Sequence, residues 1–109
     1  MNGVIEGINA RNWDALGKLL SEDVVHHSTL GDQVGRDAAL TFYKMLCDQM
    51  GWKIEVRSST TTDKWLAAIH ANHFTPATVE ATTVGRIADG KVAELWTLGN
   101  PDDAGKLGL

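Results

Sequence analysis

A single cysteine, Cys47, stands in a chain of 109 residues. An intramolecular disulfide is therefore excluded, and so is a metal cluster built on thiolates. Basic residues are also in short supply. Ten lysines and arginines face fourteen aspartates and glutamates, for a net charge of −4. Without a basic stripe, a nucleic-acid partner is disfavoured. No apolar run approaches the roughly 18 residues that a membrane span needs, so no membrane partner is expected. The opening residues MNGVIEGINARNW lack the basic and apolar regions of a secretory leader. Together with the lone cysteine, this makes the cytoplasm the expected location. Repeats and low-complexity tracts are lacking too. The length fits one domain, which at this size buries roughly two thirds of its unfolded surface.

What is present is organised around Val79 to Leu98, VEATTVGRIADGKVAELWTL. Small or apolar residues alternate with polar ones on both sides of Asp89-Gly90. Period-two alternation argues for strands, and Asp-Gly between two such runs is a strong hairpin signal. Upstream, Val4, Ile5 and Ile8 mark a short first helix. Asn12 offers an N-cap to a second helix carrying Leu16, Leu19 and Leu20, with Asp14 in its first turn. DVVHHS reads as a short strand, and Thr29 to Gly35 as a loop. Ala39, Phe42, Tyr43, Leu46 and Met50 make the stripe of a third helix stopped by Gly51. WKIEVRSSTTT and WLAAIHANHFT read as long strands joined at Asp63-Lys64, and Pro76 marks a corner. The expectation is an α+β domain over residues 1–100, its helices covering a curved antiparallel sheet. Residues 101–109 have no periodic pattern and are expected to be a mobile tail.

A twisted sheet curling around helices leaves a concave, mostly apolar hollow, the usual setting for a small-molecule site. On the short strand, alternation from Val25 carries His27 into the hollow and leaves His26 outside. His73 shares a face with Ile69 and Ala71, while His70 and Asn72 are read as outward. An imidazole titrates near neutrality, so His27 and His73 are the candidate acid–base groups; each could equally be a satisfied polar residue at a strand end. Tyr43 lies on the helical face that meets the sheet, where its hydroxyl could donate to a ligand or cap a buried group. Trp13 is a core anchor or a stacking surface for ligand. Adjacent histidines on a strand diverge, as do His70 and His73, so neither a metal nor another cofactor is expected. Trp96, Val92 and Leu98 fall on the face away from Leu95 and Thr97. An apolar outer patch of this kind marks an interface, with Trp96 its leading contact.

The runs INARNWDALGKLLSEDVVHH, GRDAALTFY and GRIADGKVAELW resemble the SnoaL-like branch of the nuclear transport factor 2-like (NTF2-like) superfamily. That branch includes polyketide cyclases, and ketosteroid isomerases are relatives. The resemblance spans about Gly3 to Gly99. It implies a cone-shaped α+β fold wrapped around three N-terminal helices, and a homodimer formed through the outer sheet face. Set against it, the first helix and the Pro76 corner are shorter than in relatives, which implies a more open cone or one that a partner chain closes. The position after the last-strand tryptophan, often a carboxylate in the cyclases, is Thr97. A second pocket polar position, three residues before the arginine of the preceding strand, is Thr83. Hydroxyls at both positions orient a substrate oxygen rather than act as bases. The expected function is a cyclase- or isomerase-type proton transfer on a small hydrophobic carbonyl compound. The alternatives are a non-catalytic small-molecule binder and a dimeric interaction module.

Overall fold

The computed structural model describes residues 2–100, apart from the side chain of Asn2. The expected tail at 101–109 lies outside the described residues. The elements are α1 (Asn2–Asn9), α2 (Trp13–Leu19), β1 (Leu20–His27), β2 (Gln33–Val34), α3 (Arg36–Met50), β3 (Lys53–Thr61), β4 (Trp65–His73), β5 (Thr78–Ala88) and β6 (Lys91–Gly99). Local chemistry sets the boundaries. Asn12 Oδ1 accepts from the Ala15 amide at 3.3 Å and starts α2. Gly51 ends α3 in the left-handed conformation, φ 61° and ψ 36°. Asp89 and Gly90 both take positive φ, 54° and 75°, the backbone of a tight hairpin whose twist matches its strands.

The strands form a six-stranded sheet in the order β2-β1-β6-β5-β4-β3, open at both edges. It is mixed rather than wholly antiparallel, because β1 runs parallel to β6. Alternation shows which side chains share a face but carries no strand direction, so the sequence could not show this pairing. The expected loop at Thr29 to Gly35 holds β2, which folds back on β1 through His26↔Gln33 and Val25↔Val34.

All three helices lie on one face of the sheet. Val4, Ile5 and Ile8 of α1, Leu16 of α2, and Tyr43 and Leu46 of α3 pack on Leu20, Val24, Leu66 and Leu95. Ladder irregularities bend the strands. Between Arg86↔Glu94 and Ile87↔Val92, β6 carries one more residue than β5. That bulge turns Val92 into the core, at 6% exposure, where uninterrupted alternation had put it outside with Trp96. A similar shift between Val56 and Ser58 bends β3. No described helix is long and apolar enough to cross a membrane.

Two positions hold this frame unusually closely. The Asn9 side chain donates to the Ile54 carbonyl at 2.9 Å and accepts from the Ile54 amide at 2.8 Å, so one amide serves both backbone groups on edge strand β3. Asn9→Leu is expected to cost about 1–3 kcal/mol by leaving both groups unpaired. Faster amide exchange at Ile54 would report the loss. Gly85 faces the core where a Cβ would stand 2.7 Å from Leu66 Cδ1 and 2.9 Å from Leu95 Cδ2. Both leucines are fully enclosed, so Gly85→Ala is expected to overpack the core by about 1–3 kcal/mol, read as a lower denaturant midpoint.

Candidate functional site

Between the helices and the inner sheet face lies a hollow lined by α1, α3 and the inward residues of the strands. Its walls are largely apolar and include Ile5, Ile8, Phe42, Leu46, Ile54 and Phe74. Across them runs a continuous row of polar side chains. The Tyr43 hydroxyl meets His26 Nδ1 at 2.5 Å, and His26 Nε2 meets Thr97 Oγ1 at 2.7 Å. Thr97 and Thr83 join their hydroxyls at 2.9 Å, and Thr83 Oγ1 reaches His70 Nε2 at 2.8 Å. His70 Nδ1 meets Asn72 Oδ1 at 3.1 Å, which also accepts from Trp52 Nε1 at 3.1 Å. The row thus runs Tyr43, His26, Thr97, Thr83, His70, Asn72, Trp52, and every member lines the hollow.

Strand register assembles it. Thr83 stands directly opposite Thr97 on β6 and opposite Ala68 on β4. Residues facing one another across a ladder share a face, so His70 and Asn72, two and four residues beyond Ala68, point the same way. His26 comes in on β1 beside Leu95. Tyr43, 1% exposed, descends from α3 with its ring edge-on to His26 at 5.5 Å.

Burial keeps this row neutral. His26 is lowered from 6.5 to about 4, chiefly because its charged form would lose water, with His27 and His70 adding repulsion and Asp32 opposing the shift. His70 is lowered by the same desolvation, against the hydrogen bond to Asn72. Burial also raises the Tyr43 phenol well above its ordinary value. Among the described residues, the acidic residue bordering the hollow is Glu80, and its register opposite Ala71 turns its side chain to the outer face, 66% exposed and 3.0 Å from Arg57.

The structure reverses the sequence assignment of the histidines. His27 faces outward, where Nε2 meets Glu94 at 2.7 Å, Nδ1 lies 3.2 Å from Asp32 and the ring stacks on Trp96 at 5.7 Å. These carboxylates raise its pKa, Glu94 contributing most. His73 is also on the outer side, bound to Glu55 at 2.9 Å and Thr78 at 3.0 Å. Val24, fully buried, is the core valine of β1 rather than Val25, and that one-residue change exchanges His27 for His26. On β4, His70 and Asn72 face inward while Ile69 and His73 face outward, the opposite of the sides expected from the sequence. Trp13 is not part of the lining; it packs at the margin of the core with Lys44 Nζ 6.0 Å from its ring centroid. Tyr43, Thr83 and Thr97 come together in the hollow, while Trp96 lies on the outer face. Sequence reasoning missed His26, His70, Asn72 and Trp52.

The profile of the SnoaL-like domain matches residues 2–95. The chain belongs to the SnoaL-like domain family. No curated protein matches it at a significant level. Among solved structures, an NTF2-like protein of unknown function from Cytophaga hutchinsonii superposes with a TM-score of 0.82 at 18% identity, over 94% of this chain and 88% of that one. A suggested polyketide cyclase from Sinorhizobium meliloti gives 0.80 at 19% identity, over 89% and 91%. A suggested ketosteroid isomerase from Kribbella flavida gives 0.82 at 18%, over 91% and 73%. At such identities the likeness establishes the NTF2-like fold, and the function of this SnoaL-like chain has to be argued from its own side chains.

Proposed function

We propose that this SnoaL-like protein binds a small, neutral, largely apolar molecule in the hollow. One observation carries the reading: an apolar cavity is crossed by a hydrogen-bonded row whose titratable members are all held uncharged. A charged ligand would enter unpaired and lose its water, whereas an apolar one gains by burial. The test is thermal unfolding against aromatic polyketides, steroids and small ketones. A ligand at a hundred times its Kd adds about 2.7 kcal/mol to the folded state. A flat panel with folded protein would remove this reading.

A proton-transfer enzyme of the cyclase or isomerase type, acting on a hydrophobic carbonyl compound, is the second reading. It is favoured by two imidazoles linked through two hydroxyls, a row in which each group can take one proton and release another. The role first given to His27 passes here to His26, with Tyr43, Thr83 and Thr97 holding the substrate oxygen. Turnover lost in His26→Ala while binding persists would select the enzyme over the binder.

The same proposal includes a second copy of the chain on the outer sheet face. Trp65, Ile69 and Leu98 are 49%, 50% and 63% exposed there, and Trp96 lies 6.5 Å from Trp65. Contiguous apolar exposure of this kind marks an association surface. Sedimentation should find a dimer that Trp96→Ala weakens and Ile69→Lys abolishes; a monomeric wild type would refute it.

A further inference from the structure

The hydrogens along the row can be placed by elimination, starting from its Trp52 end. An indole nitrogen only donates, so Trp52 fixes the Asn72 amide with Oδ1 toward it. The flipped amide would set two donors against each other. Asn72 Oδ1 is acceptor-only and also faces His70 Nδ1, so that nitrogen carries the hydrogen. In the neutral ring His70 Nε2 is then a lone pair, and Thr83 must donate to it. A threonine hydroxyl has one hydrogen, so Thr83 accepts from Thr97. Thr97 has likewise spent its hydrogen and accepts from His26 Nε2. His26 Nδ1 is therefore a lone pair, and the Tyr43 hydroxyl donates to it. Every bond follows from the indole of one tryptophan.

The consequence bears on what the hollow can hold. Each hydroxyl hydrogen in the row is used within the row, but each hydroxyl oxygen has a lone pair left over. Thr83 and Thr97 each donate once and accept once, and both line the hollow. They stand side by side as acceptors. To donate to a ligand carbonyl, either threonine would have to give up an existing bond and leave an acceptor unpaired behind it. Reversing the whole row is blocked at Asn72, which cannot donate from Oδ1.

We propose that the ligand of this hollow carries a hydroxyl hydrogen, as a phenol, enol or alcohol, and gives it to the oxygens of Thr83 and Thr97. This rests on the reading of the hollow as a ligand site and narrows its chemistry: at the two threonines the ligand supplies the donor and the protein the acceptor, while the hydrogens of the Asn72 amide nitrogen are not used by the row.

Two measurements test it. The first needs no ligand. Long-range proton–nitrogen correlation on the histidine rings at neutral pH should show Nδ1 as the bare nitrogen of His26 and Nε2 as the bare nitrogen of His70. The opposite tautomer at either ring overturns the proposal whatever the protein binds. The second compares naphthol with its methyl ether and with methylnaphthalene, by quenching of tryptophan fluorescence and by calorimetry. Naphthol is expected to bind at least about tenfold tighter, although the methyl compound is the more apolar. Equal affinities overturn the donor requirement and leave the binding site standing. No binding by any of the three removes the ligand site and this inference with it. Trp52→Phe frees the Asn72 amide to turn, and the preference for naphthol should narrow in that variant.

Discussion

Tyr43→Ala is expected to lower the unfolding free energy by about 3–5 kcal/mol, the largest loss from any single side chain of the site. Tyr43 is 1% exposed. Its ring lies 5.5 Å from His26, 6.0 Å from Trp52 and 6.2 Å from Phe42, so its removal empties the centre of an aromatic cluster. The hydroxyl adds a separate contribution. Tyr43→Phe keeps the ring and strands the lone pair on His26 Nδ1, for an expected loss of about 1–3 kcal/mol. Urea unfolding of both variants separates the two effects. If phenylalanine were as harmful as alanine, the hydroxyl would dominate. If it were neutral, the row would not extend to Tyr43, and the assignment of hydrogens would end at His26.

The site was harder to read from the sequence than the fold. Hydrophobic spacing and punctuation located the elements: the Asn12 cap, the Gly51 stop and the Asp89-Gly90 turn all stand where the residues imply. Site residues hang on a finer distinction, the parity of each strand. Val24 and Val25 are chemically the same, so nothing within DVVHH says which faces inward, and a one-residue choice exchanges His26 for His27. Trp65 and Ile69 look like core residues, yet they make the exposed outer patch, while the inner face bears Ala68, His70 and Asn72. A signal was available. The turn through Phe74 to Ala77 sets His73 opposite Thr78, and the same register puts Ala68 opposite Thr83. Since Thr83 was already assigned to the hollow, counting across the turn would have carried His70 and Asn72 there with it. The β6 bulge is different in kind. The extra residue near Ala93 leaves no mark in composition, and only the paired ladder exposes the change of face at Val92.

His26 should also make the fold acid-sensitive over a defined interval. Its pKa falls from 6.5 in the open chain to about 4 in the folded protein, so between those values the unfolded chain binds the proton more readily. Stability from keeping this ring neutral is fully present above pH 6.5 and is lost as pH falls toward 4. The full shift corresponds to about 3 kcal/mol. His70, lowered by the same burial, acts in the same direction. His27 acts in the opposite one. Its pKa is raised by Glu94 and Asp32, so its contribution is present at low pH and fades as pH rises through its folded value. Glu55 and Glu94, both lowered by their histidine partners, add losses only below the ordinary carboxylate range. The slope of wild type alone therefore mixes several groups, and a variant is needed to isolate one. His26→Gln suits the purpose, because the amide can accept from Tyr43 and donate to Thr97 without titrating. Urea midpoints taken at intervals across the window should fall steeply in wild type and much less in His26→Gln. Parallel slopes would mean that His26 titrates in the folded protein as it does in the open chain, so that burial does not hold the ring neutral below pH 6.5.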